Sequence, residues 1–165
     1  MDPVNTLQSA GITPVEVKQM LYALSMAGGY AAVGLAAIGS AIGAGIAGCA
    51  AIGSWKRSYL MGKPAAFLLT VFAVAPLSQT IYAFVFMMLL KLNLAPDKPQ
   101  MIFHLLVGIF AGAALMASAI FQGKASAAAC DAFGETGKGF ANDLMVVGVV
   151  ETVALFAMVF AIMVL

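Results

Sequence analysis

Glu151 is the residue whose type and place can do chemistry. It stands in Met145-Val-Val-Gly-Val-Val-Glu151-Thr-Val-Ala-Leu-Phe156, within a segment from Leu144 to Leu165 whose other polar residue is Thr152. A segment of that length suits a membrane-spanning helix, which needs ~20 mostly apolar residues. A charged side chain at the bilayer centre costs on the order of 3 kcal/mol or more, so such residues mark ion paths or ligand sites. Glu151 lies well inside the segment and cannot snorkel far to an interface.

Partners for this carboxylate come from two other apolar runs. In the run from Pro64 to Leu90, the spacing of Ala75, Ser78, Gln79 and Tyr82 puts them on one helical face. Pro76 lacks an N–H, which disturbs the local hydrogen bonds and can free a backbone carbonyl as a ligand. In the third run Gln122 is followed by Gly123, which permits close approach. If the helices pack side by side, a carboxylate, two amide oxygens, a hydroxyl and a carbonyl converge at one depth. Oxygen donors with a single negative charge suit a small, hard, monovalent cation. Calcium would gather more carboxylates, and zinc would take His or Cys. A site for protons alone needs only the carboxyl and one or two partners, so sodium fits best and the proton is the alternative. The plainer role for Gln79 or Gln122 alone is an interhelical hydrogen bond, worth ~0.6 kcal/mol.

These residues need elements to position them, and composition says where those elements sit. The chain is 63% hydrophobic and 9% charged. No soluble domain of this size hides so much apolar surface, so the chain is expected to be an integral membrane protein. A net charge of +1 gives no electrostatic case for nucleic acid. Cys49, Cys130 and a single histidine, His104, make a poor metal set, and nothing suggests a disulfide framework. His104 is expected to be structural. No nucleophile–base pair is apparent, so no catalytic residues and no cofactor are expected. Residues 1 to 20 lack the pattern of a removable signal peptide.

Four uncharged or nearly uncharged runs predict an all-α membrane protein of four transmembrane helices, forming two hairpins. The expected divisions are a lead-in over 1–20, a first hairpin over 21–92 and a second over 98–165, which carries Glu151. Trp55 to Lys63 reads as the first polar loop and Lys91 to Lys98 as a short turn. Lys124 to Asp143 is a mixed stretch whose first part can continue helix 3 beyond the lipid. The first loop has the largest basic excess, so the positive-inside rule puts both longer loops in the cytoplasm and both termini outside. Gly39, Gly43 and Ala47 form one small-residue row on helix 1, and Gly45, Cys49 and Gly53 another; such rows let helix backbones approach closely in lipid. Gly134 to Gly139 hints at a phosphate loop but has the wrong spacing and no preceding strand.

The hairpin occurs twice. Ser40-Ala-Ile-Gly-Ala-Gly45 parallels Ser118-Ala-Ile-Phe-Gln-Gly123, and Val74 to Phe84 parallels Val146 to Phe156. Two hairpins in tandem are parallel repeats, whereas inverted repeats would need an odd offset. In this register Gln79 takes the place of Glu151.

The motifs Pro76-Leu-Ser-Gln-Thr-Ile-Tyr82, Phe121-Gln-Gly-Lys124 and Val150-Glu-Thr152 resemble those of the four-helix proteolipid of V-type ATPase rotor rings, especially its bacterial sodium-transporting members. The resemblance covers about residues 24 to 165. It implies ligands at the Ala75 carbonyl, Ser78, Gln79, Gln122 and Glu151, with Tyr82 hydrogen-bonded to Glu151. Ser78 stands where the family has Thr, which keeps the hydroxyl and loses a methyl that restricts the rotamer. The resemblance further implies identical subunits in a ring within the cell membrane, helices 1 and 3 inside and helices 2 and 4 outside. Its implied partners are a membrane stator subunit with an arginine and a central stalk at the cytoplasmic loops. It implies a non-catalytic, ion-carrying subunit of an ATP-driven machine. The alternative of another class is a self-contained small transporter or structural pore protein.

Overall fold

The computed structural model describes residues 9, 11, 13–94 and 101–165. Residues 1–8, 10 and 12 of the expected lead-in, and residues 95–98 of the expected turn after Lys91, lie outside the described residues. The helices are α1 (Pro14–Leu60), α2 (Leu69–Val74), α3 (Ser78–Asn93), α4 (Met101–Thr136) and α5 (Phe140–Met163). Ala75–Leu77 form a 3₁₀ turn that joins α2 to α3, so Leu69–Asn93 act as one span. The described residues contain no strand, and four helical stretches are long and apolar enough to cross a membrane.

Two boundaries differ from expectation. α1 starts at Pro14, so the division before residue 21 falls inside a helix. The reason is a capping box: Thr13 Oγ1 accepts from Glu16 N, Glu16 Oε2 accepts from Thr13 N at 2.9 Å, and Pro14 is preset for the first turn. Second, Trp55–Leu60, expected as loop, are the last turns of α1. Charge does not stop a helix, and here the stop is Gly62, whose φ is 65°. Lys63 N donates to Ser58 O and Gly62 N to Tyr59 O, the paired bonds of a Schellman ending. α1 therefore runs for 47 residues, about 70 Å at ~1.5 Å per residue, well beyond a bilayer.

α1 and α4 form the packed centre, and glycines decide how close they come. A Cβ on Gly43 would lie 2.2 Å from Ala119 O and 2.9 Å from Pro76 Cβ, and one on Gly123 would lie 2.3 Å from Gly43 Cα. Gly28 and Gly108 meet in the same way, as do Gly39 and the Met116 backbone. Thus the row Gly39, Gly43, Ala47 is buried against α4, while Gly45, Cys49 and Gly53 are exposed within the subunit. One apolar layer, with Ala36, Ala83, Phe86, Leu90, Leu115 and Ala154, lies toward the end of α3. The other, with Ala51, Leu69, Phe72, Ala129, Cys130 and Val147, lies toward the α4–α5 turn.

At that turn end Arg57 holds Asp131 Oδ1 at 3.0 Å and pairs with Glu135, tying α1 to the tail of α4. Gly134–Thr136 are helical, and Gly137 and Gly139, with φ of 64° and 85°, turn the chain into α5. The hinted phosphate loop is therefore a helix end and an interhelical turn. His104 is buried, with Nδ1 3.3 Å from Ser25 Oγ on α1, a packing contact. Cys49 is exposed and Cys130 buried, both as free thiols.

Candidate functional site

The site begins at the break in the second span. Pro76 is buried beneath Gly43, whose missing side chain leaves room for the ring. Without an N–H, Pro76 leaves the Phe72 carbonyl without its α-helical donor, and the chain tightens into a 3₁₀ turn. The Ala75 carbonyl, which the resemblance implies as a ligand, is drawn into this turn: it accepts from Ser78 N and from Ser78 Oγ at 3.1 Å. It becomes available to a ligand only when the Ser78 hydroxyl turns away. A carbonyl has two lone pairs, so the backbone bond can stay.

From Ser78 a continuous chain of hydrogen bonds reaches Glu151. The single Ser78 hydroxyl hydrogen is shared between Ala75 O and Gln79 Oε1, the latter 3.3 Å from Ser78 Oγ, and Gln79 Nε2 donates to Gln122 Oε1 at 2.7 Å. Gln122 Nε2 donates to Glu151 Oε2 at 3.2 Å and to Val147 O at 3.2 Å. Tyr82 OH donates to the other carboxylate oxygen, Glu151 Oε1, at 2.5 Å. Every sequence-derived residue is thus in or against one network spanning α3, α4 and α5. Glu151 touches Gln122 and Tyr82 directly; Ser78 and Ala75 join through Gln79.

Burial grades across the network. Gln79 and Gln122 are both 0% exposed, whereas Ser78, Tyr82 and Glu151 are half-buried. On α5, Val149 and Val153 beside Glu151 are about two-thirds exposed at 62% and 60%. The carboxylate therefore stands where the protein interior meets the outer apolar face. Its two oxygens each hold one donor, which keeps the side chain folded inward. Buried amides at this depth need full satisfaction, and here each amide group finds a partner.

Three contacts had no plain signal in the sequence. The Val147 carbonyl is backbone, and only the packed register of α4 on α5 puts it beside Gln122. Ser118 Oγ donates to Val150 O at 3.0 Å, and Thr80 Oγ1 to Ser40 Oγ at 2.8 Å. These last two do have a trace in the repeat, where Ser40 parallels Ser118. Each serine sits on the first helix of its hairpin and bonds to the second helix, one residue from the Gln79 or Glu151 position.

A known family model falls on this same geometry. Residues 105–164 match the model for the C subunit of ATP synthase. The matched stretch is the α4–α5 hairpin with Gln122 and Glu151, a little over a third of the chain. A search among curated proteins gives no match. The four apolar spans agree with a multi-pass membrane protein.

Proposed function

We propose that this chain is the rotor-ring proteolipid of a V-type rotary ATPase and that it carries sodium at Glu151. The observation that carries the reading is the unbroken network from the Ala75 carbonyl through Ser78, Gln79 and Gln122 to a half-buried carboxylate. Rotation of the Ser78 hydroxyl and a small shift of the two amides would turn Ala75 O, Ser78 Oγ, both glutamine oxygens and Glu151 toward one cation. The ion neutralises Glu151, and Tyr82 keeps the carboxylate folded in while the site crosses the apolar face. Identical copies of the chain form a ring, with the open small-residue face of α1 (Gly45, Cys49, Gly53) available for contact in its crowded interior.

In this reading a stator subunit presents an arginine that displaces the ion, and a central stalk meets the loops around Lys56 and Gly134 on the cytoplasmic side. Moving one charge against 100 mV takes about 2.3 kcal/mol, so one ATP hydrolysed elsewhere in the complex can drive several ions. Run backward, the same machine makes ATP.

A carbodiimide attacks only a protonated, unoccupied carboxyl. The deciding experiment is labelling of Glu151 in the purified assembly with and without sodium. Protection by sodium supports the reading; equal labelling in both buffers leaves a ring that carries protons. A monomer or small oligomer that moves solute without partner proteins would instead make this a self-contained transporter.

A further inference from the structure

Among the described residues two buried side-chain oxygens have no hydrogen-bond partner, Ser126 Oγ and Asp143 Oδ2. Ser126 is 0% exposed, so its hydroxyl carries an uncompensated desolvation penalty. Both residues lie on the same side of the Glu151 network. Ser126 is one helical turn beyond Gln122 on α4. Asp143, Val147 and Glu151 are spaced by four on α5 and share a face.

The antiparallel register brings the two to one level. Ser118 Oγ reaches the Val150 carbonyl and Gln122 Nε2 reaches the Val147 carbonyl. The next turn along α4 is Ser126, and the next turn back along α5 is Asp143. The neighbouring buried layer includes Ala51, Leu69, Phe72, Ala129 and Cys130. Asp143 lies in the first turn of α5, where a carboxylate is favoured by the helix dipole. That accounts for an acid at this position and not for the buried, unpaired hydroxyl of Ser126.

We propose that Ser126 and Asp143 form a waiting position for the cargo cation between the α4–α5 turn and the Glu151 site. It lies about 12 Å from Glu151 along α5, at ~1.5 Å per residue. A partly hydrated monovalent cation there gains one carboxylate and one hydroxyl. The Val147 carbonyl stands between the two positions, so the ion changes ligands stepwise on its way to Glu151. This inference rests on the sodium reading above.

The test separates rate from endpoint. Sodium is added to the assembled ring, and protection of Glu151 from carbodiimide is followed by rapid quenching. With Asp143→Asn or Ser126→Ala, protection reaches the wild-type level at saturating sodium, because the Glu151 ligands are intact, but its onset slows on the order of tenfold. Asp143→Glu restores most of the rate. Ser126→Ala leaves thermal stability unchanged or raised, since it removes an unpaired buried hydroxyl, so a slower onset in that variant is not a folding effect. Wild-type onset in both variants overturns the waiting position and leaves the sodium reading standing. No protection of the wild-type ring by sodium overturns the sodium reading, and the waiting position with it. Should Asp143→Asn fail to assemble, Ser126→Ala decides alone.

Discussion

Gln122 Nε2 donates at once to Glu151 Oε2 and to the Val147 carbonyl, both at 3.2 Å. One amide group thereby fixes the carboxylate to the backbone of its own helix, one turn away. Its other end accepts from Gln79 at 2.7 Å, so the same side chain couples the two hairpins. Removing it should uncouple them at the site. Gln122→Ala is expected to raise the sodium concentration that half-protects Glu151 by roughly 10- to 100-fold, as loss of a hydrogen bond to a charged group of ~1.5–3 kcal/mol implies. Titration of carbodiimide labelling against sodium measures it, with choline as the balancing cation.

Tyr82→Phe keeps the ring and removes the donor to Glu151 Oε1. The carboxylate then spends more time turned outward. Labelling in sodium-free buffer should speed up by on the order of tenfold, the effect of ~1.4 kcal/mol. The half-protecting sodium concentration should move less than for Gln122→Ala.

Glycines on opposite faces of α1 should respond oppositely. A Cβ at Gly43 meets Ala119 O at 2.2 Å, backbone that cannot yield cheaply. Gly43→Ala should cost about 1–3 kcal/mol of subunit stability, as overpacking does. Nothing lies within 4 Å of a Cβ at Gly45. Gly45→Ile should leave subunit helicity intact and impair only the assembled ring, read by circular dichroism against size in native electrophoresis. Loss of helicity in Gly45→Ile would refute the assignment of that face.

Arg57 is 42% exposed, and its partners Asp131 and Glu135 more so at 63% and 55%. Solvent screens such pairs, so Arg57→Ala should cost less than ~1 kcal/mol and the difference should vanish in 1 M potassium chloride. Thermal unfolding at low and high potassium salt checks both statements without loading the sodium site.

The spans, the break at Pro76, the repeat and the residues around Glu151 were readable in the chain itself. Lipid demands long apolar runs with internally paired backbone, and it makes a carboxylate within such a run conspicuous. Spacing of three and four then put Ser78, Gln79 and Tyr82 on one face. Boundaries were less readable: the capping box at Thr13 and the Schellman ending at Gly62 set them locally, while hydropathy alone placed both ends of α1 short.

The tertiary structure decided the rest. Which small-residue row on α1 is buried, that Ala75 O is held by Ser78, and that Val147 O faces Gln122 depend on how α1, α4 and α5 slide and rotate against one another. Residue types fix which side of a helix is small or polar. The relative depth of two helices is set by backbone contacts between distant segments, and those exist only after packing.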